Sequence, residues 1–172
     1  MRVAAGRAAR ALVPLLCAAA LGLAAQSEPE RPLWIAEGRP TEQAAALVAE
    51  LENAESRGLV AADYDGAPLS AALRSGDTSS RVDARLTLMA MRFVDHVHNG
   101  RVDPRTLGFA LPKASERLDL AAIVAALSRS RDVHAAIDSL EPPFPRFRAL
   151  KALLARYRTL AADSGLAALP EL

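Results

Sequence analysis

Apolar and polar positions recur with helical spacing in several long stretches of this chain, and glycine and proline separate those stretches. Between Glu42 and Arg57, the residues Leu47, Val48, Leu51 and Ala54 return three and four positions apart, which predicts an amphipathic helix. Thr41 stands where a hydroxyl can accept the first free amide hydrogens, and Gly58 where a left-handed stop is needed. Ala61–Tyr64 reads as a short helical turn, Pro68–Arg74 as a second helical piece, and Ser75-Gly76-Asp77 breaks the chain. A longer helix over about residues 81–99 puts Val82, Leu86, Met89, Phe93 and Val97 on one stripe, with Ala90 and Val94 beside it. This is the expected central buried helix.

Asn99-Gly100 ends that helix, and Asp103-Pro104 reads as an N-cap followed by proline at the first helical position, opening a short turn through Leu107. The stretch from Asn99 to Pro104 is thereby explained as a stop followed by a start. Two further helices are predicted over about residues 119–128 and 133–140, before Glu141-Pro142-Pro143 forces a break. The last helix runs from about Pro145 to Asp163, with Phe147, Leu150, Leu153, Leu154, Tyr157 and Leu160 as its apolar face and Gly165 as its stop. No repeat of solenoid length is visible. The expected fold class is all-α, a compact multi-helix domain with short connections.

The first residues follow a different pattern. Arg2, Arg7 and Arg10 stand without an acid, the apolar run Ala11–Leu23 follows, and small residues precede Gln26 and Ser27. That order reads as a secretory signal peptide over residues 1–25, with the membrane involved only before cleavage. Cys17 sits inside the apolar run behind Leu16, where a lipobox would need a small residue. Residues 26–40 are rich in proline and charge and are expected to be extended, anchored by Leu33, Trp34 and Ile35; residues 41–172 form the helical domain.

Composition narrows the function. The 172 residues are 51% apolar and only 4% aromatic, and 21 basic side chains meet 20 acidic ones, giving a formal charge of +1. One domain fits that length, helix formers dominate, and no like-charge run supplies a footprint for nucleic acid. A single cysteine excludes an internal disulfide and any zinc site built from cysteines.

Candidate chemistry is outweighed, site by site, by a structural explanation. His96 and His98 lie two positions apart on a helix, so their side chains diverge by roughly 200° and cannot share an ion. His134 reads as a surface or edge histidine. Glu50, Glu52 and Glu55 suggest a glycosidase carboxylate pair, but they fall on the polar side of an amphipathic helix, where solvated charge is the ordinary state. No nucleophile elbow and no phosphate-cradling glycine loop occur, so no catalytic, metal-binding or cofactor-binding residue is assigned. Trp34 reads as a plug on the helical core rather than a stacking platform. Arg146, Arg148, Lys151, Arg156 and Arg158 form either a solvated helix face or a docking surface for another domain.

Several segments taken in order carry a resemblance. Pro32-Leu33-Trp34 with Gly38-Arg39-Pro40-Thr41, then Gly58-Leu59 with Asp63-Tyr64, resemble the start of the amino-terminal scaffold domain of large bacterial murein L,D-transpeptidases. Gly100-Arg101-Val102-Asp103-Pro104 is similar to that family's G-R-V-D-P turn. Leu140-Glu141-Pro142-Pro143 with Pro145, Phe147 and Leu150, followed by Tyr157-Arg158, resembles its proline-aromatic segment and Y-R helix. Phe147 stands where the family commonly has tyrosine, and Gly165-Leu166 where a Gly-Trp pair is usual. The resemblance spans about Pro32 to Pro170.

The resemblance implies an exported, periplasmic protein of the bacterial envelope, whose complete relatives crosslink peptidoglycan through a cysteine acyl-enzyme. In those relatives a peptidoglycan-binding module and a catalytic domain accompany the scaffold. The serine-histidine-glycine-cysteine nucleophile motif is absent from this sequence, so the expectation is a non-catalytic scaffold, either a fragment or a stand-alone remnant. Its motif residues Trp34, Gly58, Tyr64, Gly100, Arg101, Asp103, Pro104, Pro142, Pro145, Phe147 and Tyr157 map to structural positions only. The implied partner is a transpeptidase catalytic domain in cis or in trans, with peptidoglycan as a further one. The alternative is a free periplasmic module that binds murein or a protein.

Overall fold

The computed structural model describes residues 31–110, 118–163 and 165. The expected signal peptide with Cys17, residues 26–30 of the expected extended segment, and Leu166 lie outside the described residues.

The first described element differs from the extended segment expected there. Strands β1 (Ile35–Ala36) and β2 (Arg39–Pro40) pair antiparallel, Ile35 opposite Pro40 and Ala36 opposite Arg39. The two central residues of the turn, Glu37 and Gly38, have φ of 52° and 70°. Left-handed backbone at both positions matches the right-handed twist of a two-residue hairpin. This hairpin is the one addition to an otherwise helical set of described elements.

Thr41 joins hairpin to helix. Its N–H donates to the Trp34 carbonyl at 2.9 Å, and its Oγ1 accepts from Ala44 N at 3.1 Å, capping helix α1 (Glu42–Glu52). The α-helix stops five residues short of the expected Arg57. Ser56 donates through both N–H and hydroxyl to the Asn53 carbonyl, at 2.9 and 2.8 Å, and the chain tightens into a 3₁₀ turn over Ala54–Arg57. The three-residue repeat of that turn brings Ala54 and Arg57 to the same inward side, and both are buried. Gly58, at φ 80°, then reverses the chain.

The expected turn over Ala61–Tyr64 is present as a second 3₁₀ turn, and helix α2 (Gly66–Arg74) begins two residues earlier than the sequence suggests. Its start lies against α1, where a Cβ on Gly66 would sit 2.9 Å from both the backbone N and the Cγ of Glu52. Backbone cannot yield as a flexible side chain can. Gly66→Ala is therefore expected to cost about 1–3 kcal/mol by forcing α1 and α2 apart; an unchanged urea midpoint would contradict that packing.

Helix α3 (Ser80–Asn99) is the central helix, capped by Ser79 and burying Val82, Leu86, Met89, Ala90, Phe93, Val94 and Val97. Asp103 and Pro104 open the 3₁₀ turn Pro104–Leu107 as the sequence indicates, with Asp103 Oδ1 accepting from Arg105 N at 3.0 Å. Helices α4 (Leu120–Leu127) and α5 (Val133–Asp138) start at aspartate caps, Asp119 and Asp132. Helix α5 ends two residues before the expected Leu140, whose N–H turns back to the Ile137 carbonyl in a tighter i→i+3 bond. The core gathers Trp34, Leu47, Leu51, Tyr64, Phe93, Val124 and Ile137 between these helices.

Helix α6 (Pro145–Ala161) corrects the sequence reading twice. It ends at Ala161 with Ala162 as its C-cap, so Gly165 is not its stop; the Gly165 N–H instead meets Asp163 Oδ1 at 2.8 Å. Only part of its expected apolar face packs: Phe147 and Leu154 turn toward the domain, and the other four residues do not. Phe147, Lys151, Leu154 and Arg158 form the half-buried stripe, whereas Leu150, Leu153, Tyr157 and Leu160 are 65%, 44%, 62% and 40% exposed. Two cations lie on the packed side beside Phe147 and Leu154: Lys151 Nζ bonds both oxygens of Glu141 at 2.7 and 2.8 Å, and Arg158 donates to the Glu55 carbonyl.

Candidate functional site

The carboxyl end of α3, the 54–58 turn and the start of α6 converge on a half-open cleft of about 370 Å³. Its walls include Gly58, Gly100, Arg101, Pro142 and Phe147, five of the eleven motif positions, brought together from separate stretches of sequence. Leu59, Val97 and Val102 supply apolar wall, and Arg57, His96 and Glu141 supply polar wall.

Each motif segment fixes another. The Arg101 Nε donates to Asp63 Oδ2 at 2.6 Å, tying the turn after α3 to the 61–64 turn. Behind that pair, Tyr64 OH lies 2.8 Å from His96 Nδ1 and the Tyr64 ring meets Phe93 edge-on at 5.1 Å. Burial and the nearby Asp63 carboxylate push the Tyr64 hydroxyl up to about 12, against the opposing pull of Arg101 and Arg92. The phenol is therefore neutral across the physiological range and acts as a fixed hydrogen-bonding strut. Gly100 supplies the corner, with φ 79° and ψ 152°, a region open essentially to glycine alone.

The remaining motif positions serve elsewhere. Trp34 is fully buried on the far half of α3, its N–H on Asp83 Oδ1 at 2.7 Å and its indole N–H on Thr87 Oγ1 at 3.1 Å. Pro145 occupies the first turn of α6, where its missing N–H costs nothing. Tyr157 points away from the cleft on the outer side of α6, and 62% of it is exposed.

Beneath the cleft lies an ionic cluster that sequence reading missed. Arg57, whose side chain is 3% exposed, bonds Glu50 at 2.7 Å and Asp138 and Glu141 at 2.5 Å each. Glu50 is correspondingly drawn in, its side chain only 12% exposed, which corrects the expectation of a solvated glutamate; Glu52 and Glu55 are exposed as expected. Burial alone would lower the Arg57 guanidinium, but its bonds to Glu50 and Asp138 outweigh that and hold it above its ordinary value. The cluster ties α1, the 54–57 turn, α5 and the α5–α6 connection together. Through Lys151 on Glu141 it reaches α6.

The histidines divide among separate partners. His98 Nδ1 lies 2.9 Å from the Leu140 carbonyl, while His96 faces Tyr64. His134, exposed at the rim of the ionic cluster, has Nδ1 2.7 Å from Glu50 Oε1. That hydrogen bond, and then the charges of Glu50 and Asp138, raise the imidazole above its usual 6.5. A raised folded-state value means the contribution is complete below the unfolded value and is lost as pH rises through the folded one. The unfolding midpoint is therefore expected to fall as pH rises through the region just above 6.5, and His134→Gln to remove that slope. Thermal melts across that range check it; equal slopes in both proteins would contradict the pairing.

Among the described residues no group of three metal-ligating side chains gathers. The arrangement at the cleft is one of mutual support. Glycine corners, proline breaks, a buried tyrosine and two sets of ion pairs hold apolar walls in place.

No curated protein and no solved structure matches the chain. The family model described as Scaffold domain matches residues 26–154. Covering the hairpin, the cleft motifs and the first half of α6, that match shows that the chain belongs to the scaffold-domain family of L,D-transpeptidases.

Proposed function

We propose that this protein is the non-catalytic scaffold of an L,D-transpeptidase-like system, exported to the bacterial periplasm and acting in peptidoglycan crosslinking by docking a catalytic domain in cis or in trans. The family match over residues 26–154 carries this reading. The geometry supports it through what the motif residues do. Arg101, Asp63, Tyr64 and His96 are committed to one another, and the cleft they brace presents Val102, Pro142 and Phe147 at its walls. A braced apolar cleft suits an inserted side chain of a docked domain. The signal-peptide pattern of Arg2, Arg7 and Arg10 ahead of an apolar run supports the periplasmic address.

The reading predicts a phenotype at the wall. Deleting the segment that encodes these residues should lower the L,D-crosslinked fraction of muropeptides, and restoring that segment in place should recover it. An unchanged muropeptide profile in the deletion strain would overturn the role in crosslinking.

A further inference from the structure

Helix α6 leaves a narrow apolar seam facing outward. Leu150, Leu153, Tyr157 and Leu160 follow one another at intervals of three, four and three residues, the spacing of the core positions of a two-helix coiled coil. Arg146 falls one heptad before Leu153 and closes the seam, and Arg156 flanks it. Both are exposed. The 17 residues of α6 contain five basic side chains and no acidic one. Lys151 and Arg158 are turned inward to Glu141 and the Glu55 carbonyl, which leaves Arg146, Arg148 and Arg156 as outward charge.

We infer that this seam is a helix-docking surface, and that its occupant is an amphipathic helix of a partner protein with leucine-like residues on its apolar face and acidic residues beside it. The inference deepens the docking reading above and rests on it. Three features select this occupant. Anchors in a single 3-4-3 row suit one partner helix lying along α6. A second copy paired α6 to α6 would bring only like charge to the seam, since α6 has no acid to answer the arginines of another α6. A lipid surface needs a broad apolar face free on both sides, whereas one flank of this seam is closed by the domain, with Leu154 resting near Gly58. Partner glutamates beside the seam would meet Arg146 and Arg156, fixing register and rejecting basic helices.

The test uses the full chain and two fluorescent synthetic helices of four heptads, both with leucine at the core positions, one with glutamate and the other with lysine at the flanking positions. Anisotropy titration should show the glutamate helix binding at least ten-fold tighter than the lysine helix. Leu153→Asp should weaken the glutamate helix at least ten-fold, while Leu88→Asp, at an exposed leucine on α3, should leave it unchanged. Arg156→Glu should narrow or invert the preference between the two helices, with circular dichroism confirming that every variant is folded. Equal binding of both helices, no binding of either, self-association of the chain at the concentrations used, or capture by anionic phosphatidylglycerol vesicles with neither helix bound would each overturn the inference. No catalytic domain enters the assay, so its failure is distinguishable from failure of the role in crosslinking.

Discussion

Arg57→Met is expected to lower stability by about 3–5 kcal/mol, among the largest effects of any single side chain here. The guanidinium answers three carboxylates, and two of them, Glu50 and Glu141, have side chains only 12% and 10% exposed. Methionine retains the bulk and removes the charge, so the carboxylates stay in a poorly solvated place without their main partner. His134 on Glu50 and Lys151 on Glu141 remain as second partners and set the loss toward the lower end of that range. Chemical denaturation followed by circular dichroism measures it. A companion Glu50→Gln change in the Arg57→Met background should recover part of the loss, because the stranded charge is then removed. The exposed pair Arg105–Asp103 provides the contrast: Arg105→Met should stay within about 0.5 kcal/mol. Equal effects at Arg57 and Arg105 would show that the cluster is solvated.

Trp34→Ala is expected to cost about 3–5 kcal/mol through the cavity it leaves. The indole is fully buried and links the hairpin segment to α3 through Thr87, while the Trp34 and Leu33 N–H groups both meet the Asp83 carboxylate. Trp34→Phe keeps most of the apolar volume and loses the indole N–H, so it should cost less than half as much. Because Trp34 is the sole tryptophan, its fluorescence reports the same site directly, blue-shifted when folded and red-shifted on unfolding. A folded spectrum typical of solvated tryptophan would remove Trp34 from the core.

Much of this fold is legible in the sequence because its local signals agree with its packing. The stripe on α3, the Thr41 and Asp103 caps, the glycine reversal at Gly58 and the burial of Trp34 all follow from spacing and backbone chemistry within a few residues. The hairpin does not, since strands of two residues carry no alternation to read and Glu37 gives no hint of a left-handed backbone. Burial of Arg57 is invisible for another reason. Its partners Asp138 and Glu141 lie 81 and 84 residues away, and only the three-residue repeat of the 54–57 turn, where an α-helix was expected, turns it inward.

The candidate site divides along the same line. Gly100, Asp103 and Pro104 have local reasons visible in the sequence, a stop followed by a start. That Arg101 would meet Asp63, or His96 would meet Tyr64, is a tertiary fact, with separations of 38 and 32 residues. The packed face of α6 is not legible in the sequence, because periodicity identifies an apolar stripe without saying which part of it is covered. Here Phe147, Lys151, Leu154 and Arg158 face inward together, and Leu150, Leu153 and Leu160 are left outside.

Docking of a catalytic domain is tested by direct binding. The full chain, freed of its predicted signal peptide by export and purified, would be titrated calorimetrically with a separately produced L,D-transpeptidase catalytic domain, and in parallel sedimented with purified sacculi. Saturable binding to the catalytic domain, weakened at least ten-fold by Val102→Asp at the cleft wall, and no pelleting with sacculi in the absence of that domain are the expected results. Pelleting with sacculi alone, with no binding to the catalytic domain, would contradict docking and make the chain a murein-binding module in its own right.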